Sequence, residues 1–215
     1  INQIKLSGLT GRGGAAFPTS IKLQTVHDQE SEVKYIVCNA DEGDGGTFAD
    51  RLIMESDPFS VIEGMTIAAY STGATKGYIY LRSEYPLAKY FLSQGIKITR
   101  SRNLLGKNIL GTSFDFDIEL RIGAGSYVCG EETAMLESIE GKRGLVRSKP
   151  PLPAIEGLFK KPTLINNVIT LSTMTTILSD GYEIFSEHGA GKSVGTMPFQ
   201  LSGNIKQGGL IETPF

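Results

Sequence analysis

Four irregular stretches gather glycines, amides, acids and lysines: GRGGAAFPTSIK at 11–22, NADEGDGGTFADR at 39–51, GAGSYVCGEE at 123–132 and SKPPLPAIEGLFKKPTLINN at 148–167. Loops of this composition suit contact with a ligand better than core packing. Gly11, Gly13 and Gly14 let backbone amides approach a phosphate, and a helix starting behind them adds a favourable dipole. They fit a loose G-x-G-x-x-G/A pattern, which a plain turn also fits. Lys22 stands where its ammonium can reach the same anion, or it is a solvated helix lysine. Asn39 and Asp41 follow a short apolar run. There they can hydrogen-bond the ring edge or ribityl hydroxyls of a flavin, or close an Asx-turn. Gly123, Gly125 and Gly130 thin the backbone around Tyr127, Glu131 and Glu132, as a flat ligand requires. The two glutamates are also favoured in a first helical turn by the dipole alone. Of Asn166 and Asn167, one can cap a helix, and the pair offers a second set of donors and acceptors. Lys149, ahead of Pro150–Pro151, is a candidate clamp for a nucleotide phosphate, or an exposed lysine. Together these residues point to a phosphate-bearing cofactor and a second nucleotide.

Other chemistries are poorly served. GAGKS at 189–193 lacks the leading glycine of a P-loop, because Ser186 occupies that position, so a surface turn is expected. Cys38 and Cys129 are too few for a disulfide scaffold or a four-thiolate site, and they read as small buried hydrophobes. His27 and His188 lie far apart, so no metal site is expected. A net charge of −2 gives no electrostatic support for nucleic-acid binding. No uncharged apolar run has the length of a membrane span, so no direct membrane insertion is expected. No signal-peptide pattern is present, and the expected compartment is the cytoplasm. The chain begins at Ile1 rather than Met, as a piece of a longer protein would.

Positioning these loops requires strands alternating with helices. Helices are expected over 20–30, 47–56 with Thr47 as cap, 58–72 with Asp57 as cap, 86–99, 131–141 and 163–181, with one more short helix after Gly181. Strands are expected over 34–39, 77–82 and 115–122, the last half-buried through Phe116, Ile118, Leu120 and Ile122. IKLSGLT is a poor strand, so a standard Rossmann entry into the Gly-rich loop is not expected. The alternation argues for an α/β domain over 1–195. A fresh strand is expected from Thr196.

With all four stretches in order, residues 5–215 resemble the family of flavin-bearing, NADH-binding subunits of respiratory complex I. That family includes diaphorase subunits of NAD-reducing hydrogenases and beta subunits of NAD-dependent formate dehydrogenases. The stretches at 39–51, 59–86, 147–171 and 195–210 look most like the formate dehydrogenase beta subunit. The resemblance implies a Rossmann-like FMN-binding domain over 1–195. Residues 196–215 would begin a truncated ubiquitin-like β-grasp domain. It implies FMN held by Gly11, Gly13, Lys22, Asn39, Asp41, Gly130, Glu131, Asn166 and Asn167. NAD(H) would be contacted by Phe17, Asp44, Tyr127, Glu132 and Lys149, with Glu132 and Asp44 positioning the reacting nucleotide. Phe17 offers a stacking face for a base. Thr25 and Leu152 stand where the family often has aromatics, and Asp44 where complex I members commonly have Glu. Full-length relatives carry a [4Fe–4S] cluster further on, and its cysteine ligands are absent from this sequence. The implied partners are an iron–sulfur gamma-type subunit and a molybdopterin alpha-type subunit. The alternatives are the equivalent complex I or hydrogenase subunit, and a flavin-free scaffold.

Overall fold

Short apolar runs become the strands of one parallel sheet, and the amphipathic stretches between them become its covering helices. The computed structural model describes residues 1–215. Helix α1 (Asn2–Leu6) and helix α2 (Thr19–Asp28) flank the Gly-rich loop. Strand β1 (Tyr35–Ala40) leads through a loop to α3 (Ala49–Ser56) and α4 (Pro58–Thr72). Then come β2 (Lys76–Leu81), α5 (Pro86–Ser101), β3 (Asp117–Ile122) and α6 (Glu132–Ile139). Strand β4 (Thr163–Asn167) runs directly into α7 (Val168–Asp180), followed by α8 (Tyr182–Ser186).

The sheet order is β3-β2-β1-β4, and every pairing is parallel. The chain therefore builds outward from β1 to β3, then returns to the opposite side of β1. In open α/β sheets, a crevice opens at such a reversal beyond the carboxyl ends of the strands. Here that places Asn39, at the end of β1, beside Asn167, at the end of β4.

Successive residues of β1 face opposite layers, as strand geometry dictates. Ile36 and Cys38 join the larger core with Met65, Leu171 and Met174. Val37 joins the smaller one with Tyr78, Ile165, Met135 and Leu136. Helices α4 and α7 approach closely at Gly64, where an added methyl would collide with the backbone of Leu171. Asp57 caps α4 by accepting from the Ser60 amide at 3.2 Å, with Pro58 in the first turn, as expected.

Three expectations need correction. Residues 163–181 are not one helix: TLINN is a buried strand, and Asn167 marks the switch into α7. An apolar run covered on both faces has no period to distinguish it from a buried helix. Thr47 does not cap α3; the Glu42 carboxylate does, accepting from the amides of Asp50 at 2.9 Å and Arg51 at 3.2 Å. The third strand starts at Asp117, and Ile122 is exposed because β3 is an edge. As its weak pattern implied, the segment before the Gly-rich loop is no strand; it holds helix α1.

GAGKS lies in a surface hairpin of β5 (Gly189–Ala190) and β6 (Ser193–Val194), as the missing glycine implied. Strands β7 (Thr196–Leu201) and β8 (Gly209–Pro214) form a separate antiparallel pair, as the start of a β-grasp unit would. No helix is long and apolar enough to cross a membrane.

Candidate functional site

Two adjoining cavities open at the sheet reversal. The first, about 540 Å³, lies between the Gly-rich loop, the 148–154 loop, and the ends of β1 and β4. It takes in Gly11, Gly13, Phe17, Lys22, Asn39, Gly130, Glu131, Glu132, Lys149, Asn166 and Asn167, and also Thr25 and Leu152. The second, about 770 Å³, holds Asp41, Asp44 and Tyr127, with Arg12, Glu42 and Asp50, and is closed by Met197–Gln200 of β7. Gly13, Asn39, Gly130, Glu131 and Asn167 belong to both walls.

All the expected residues line one or other of these adjoining cavities. Phe17, Glu132 and Lys149 share the first cavity with the set assigned to FMN. Asp44 and Tyr127 sit in the second, joined by a 2.8 Å hydrogen bond from the tyrosine hydroxyl. The two ligand sets therefore do not divide one to a cavity.

Several of these side chains also shape the walls. Asn39 donates to the Gly130 carbonyl at 2.9 Å and accepts from the Asp41 amide at 3.2 Å, the Asx-turn alternative. Asn167 caps α7 through the Ile169 amide at 2.8 Å and donates to Asp50 at 2.6 Å. Each amide nitrogen has two protons, so one remains for a ligand. Glu131 caps α6, accepting from the amides of Thr133 and Ala134 at 2.8 and 2.9 Å. Burial opposes its ionisation, but the Thr133, Ala134 and Lys149 donors outweigh that and hold it below the usual carboxylate range. Gly13 lies against Asn167, whose Cβ would be 3.1 Å from an added methyl, so only glycine lets the loop approach here without displacing that side chain.

Two lysines supply the positive charge of the first cavity. Lys22 donates to the Ile165 carbonyl at 3.1 Å, and burial lowers its pKa, opposed by Glu132 and assisted by Lys149. Lys149 bridges Glu132 at 2.6 Å and Glu131 at 3.2 Å. Burial pulls its pKa down, but Glu132 and then Glu131 outweigh that and raise it. A phosphate arriving at Lys149 competes with both carboxylates.

Four buried polar atoms of the cavity-lining residues have no partner within the chain: Asn166 Nδ2, Arg12 Nε, Asp41 Oδ2 and Asp50 Oδ1. Such groups are costly unless something hydrogen-bonds them. Burial also raises the Asp41 pKa, with Arg82 opposing. Two orphan donors and two acceptors, beside a glycine loop and a buried ammonium, suit a ligand with a phosphate and a polar ring or polyol.

Residues 4–176 match the family described as the Nuo51 FMN-binding domain. The chain belongs to that family. It is 51% identical, over its whole length and 44% of the relative, to the NADP-reducing hydrogenase subunit HndC of Solidesulfovibrio fructosivorans. It is 47% identical, over its whole length and 48% of the relative, to a subunit of the NADH-quinone oxidoreductase of Escherichia coli (strain K12). The chain therefore spans about half the length of these relatives. The H2-reduced NAD+-reducing [NiFe]-hydrogenase crystal structure superposes with a TM-score of 0.92 at 37% identity, covering 99% of this chain and 36% of that one. FMN is the cofactor of the family, and the orphan polar atoms, the glycine approach and the Lys22 ammonium fit it chemically.

Some residues of the site have no clear signature in the sequence. Thr170, in the first turn of α7, lines the first cavity and accepts from the Arg12 amide at 2.8 Å. Its position three residues after Asn167 was the available signal. Arg12 itself donates to the Val194 carbonyl at 2.6 Å and lies over the Phe215 ring at 4.4 Å. Glu42 and Asp50 belong to the 39–51 stretch, but their burial follows only from the fold.

Proposed function

We propose that this domain binds FMN and NAD(H) at the β1/β4 reversal, as the flavoprotein part of a multi-subunit dehydrogenase. The observation carrying this is the single cleft that joins a buried lysine, a close glycine loop and unpartnered amide and carboxylate atoms. Gly11, Gly13 and Lys22 receive the phosphate. Asn39, Asp41, Gly130, Glu131, Asn166 and Asn167 hold the ring edge and ribityl chain. Phe17 and Lys149 meet the dinucleotide, and Glu132, Asp44 and Tyr127 orient it. When bound, FMN supplies hydride exchange with nicotinamide and one-electron exchange with iron–sulfur centres. The chain's own residues bind, orient and shield; no side chain acts as a nucleophile.

The finer reading is the beta subunit of an NAD-dependent formate dehydrogenase, working beside iron–sulfur gamma-type and molybdopterin alpha-type subunits in the cytoplasm. The stretches at 39–51, 59–86, 147–171 and 195–210 support it. A hydrogenase or complex I assembly is the second reading, favoured by the names of the relatives at 51% and 47% identity. Copurification of a molybdenum protein, a nickel–iron protein or a membrane arm distinguishes these. Residues 196–215 as the opening of a ubiquitin-like domain form part of the same proposal.

The primary test is reconstitution with FMN, removal of free flavin, and anaerobic addition of NADH. A retained flavin band that bleaches supports both ligands at this cleft. A retained band that does not bleach removes the nicotinamide contacts. No retained band favours the flavin-free scaffold.

A further inference from the structure

Behind the second cavity, two carboxyl groups are buried side by side. Glu42 is 7% exposed and Asp50 4%. Their hydrogen bonding is unequal. Glu42 accepts from the Asp50 and Arg51 amides and, at 2.9 Å, from the Tyr85 hydroxyl. Three donors satisfy a charged carboxylate. Asp50 accepts from Asn167 at 2.6 Å on one oxygen, and its other oxygen is unpartnered. Neither neighbouring arginine forms a salt bridge with these carboxylates: Arg51 lies 3.9 Å from Glu55, and Arg82 pairs with Glu84 and donates to the backbone carbonyl of Glu42. Arg12, across the cavity, is directed to Val194 and Phe215. The remaining groups facing Asp50 are the Ile169 amide at the start of α7 and the Cys38 thiol on β1, which feels its charge. Two adjacent carboxylates without a cation do not both ionise cheaply in a buried site.

We propose that Asp50 is held as a neutral carboxylic acid and is a positioning residue for the flavin site, fixing the Asn167 amide at the β4–α7 corner while keeping negative charge away from an anionic cofactor. This rests on the FMN reading above. Burial first, then the Glu42 charge, push the Asp50 carboxyl up to about 8, against the bond from Asn167 and the nearby Ile169 amide. Its protonated oxygen has a proton to donate, which turns the unpartnered atom facing the cavity into a donor.

The sign of the pH effect follows. Bound FMN is anionic, so it binds better when Asp50 is neutral. Affinity therefore falls as pH rises through about 8. One linked proton limits the fall to about tenfold per pH unit. The phosphate of FMN, with a second pKa of about 6, contributes no further change above neutrality.

Two measurements on the full chain test this. Infrared titration of the ligand-free protein should show a buried carboxylic acid C=O band that vanishes with a midpoint near pH 8 and is missing in Asp50→Asn. FMN dissociation constants should weaken about tenfold between roughly pH 7 and 9 in the wild type. In Asp50→Asn that pH dependence should be lost, whatever the absolute affinity. The absence of a titrating acid band in the wild type overturns the proposal, whether or not the variant folds. So does a pH dependence of FMN affinity that survives in folded Asp50→Asn. If the wild type retains no flavin at any pH, the FMN reading fails, and the infrared titration still decides the protonation of Asp50.

Discussion

The two cavities share five wall residues and differ in charge. The first sets Lys22 and Lys149 against Glu131 and Glu132. The second gathers Asp41, Glu42, Asp44, Asp50 and Glu131 around the single cation Arg12. The difference shows how one cleft can sort the parts of a ligand. A phosphate is drawn to the lysine side. Neutral donors such as ribityl and ribose hydroxyls are accepted on the acid side. The shared glycines and amides form the seam across which a flat ring can lie.

The contrast can be broken entirely by disturbing what both cavities stand on. Gly64→Ala drives a methyl into the Leu171 backbone, separating α4 from α7, whose first turn carries the shared Asn167 cap. A loss of about 2 kcal/mol or more in urea unfolding is expected, with both cavities losing their ligands. If Gly64→Ala leaves the unfolding midpoint unchanged, the close helix contact is not what supports the cleft.

Lys22→Met tests the charge difference itself. It should weaken FMN retention by about 2 kcal/mol, roughly thirtyfold, as measured by fluorescence titration. Asp44→Asn, across the seam, should leave FMN retention within about threefold. Equal losses in the two variants would erase the proposed division of labour.

Lys149→Met should separate the nucleotide from the flavin. Losing one charge-assisted contact predicts an NADH KM about tenfold higher with FMN retention preserved. An unchanged KM would leave Lys149 as a partner of Glu131 and Glu132 alone. The smallest effect is expected from Tyr127→Phe. The lost bond to Asp44 is exposed, so folding stability should shift by less than about 0.5 kcal/mol. Any change in NADH KM then reports on the acid side of the cleft rather than on folding.

Much of this was legible in the sequence, because punctuation and period act locally. Asp57–Pro58 fixed the start of α4, and the KYIVCN run fixed the buried strand that ends at the site. The four loops converge because strand ends converge, which is a property of the fold class. What was illegible depends on distant partners. Thr163–Asn167 becomes a strand because β1 is available to pair with it. Thr47 yields the α3 cap to Glu42, which lies well before the helix and reaches it only through the loop's path. Asn39, Glu131 and Asn167 read as ligand groups and serve also as wall-building ones, since a side chain with several hydrogen-bonding valences can do both. Asp50 gave no local sign, because its protonation follows from a neighbour and a lack of water that only the packed molecule creates.

Arg12 has a mechanical consequence. Its amide is tied to Thr170 on α7, its guanidinium to the Val194 carbonyl, and its flat face to the ring of Phe215. It lies between Gly11 and Gly13 of the Gly-rich loop. The Gly-rich loop is therefore moored at three points, on α7, on β6 and on the ring of Phe215, and Arg12→Ala would cut two of the three.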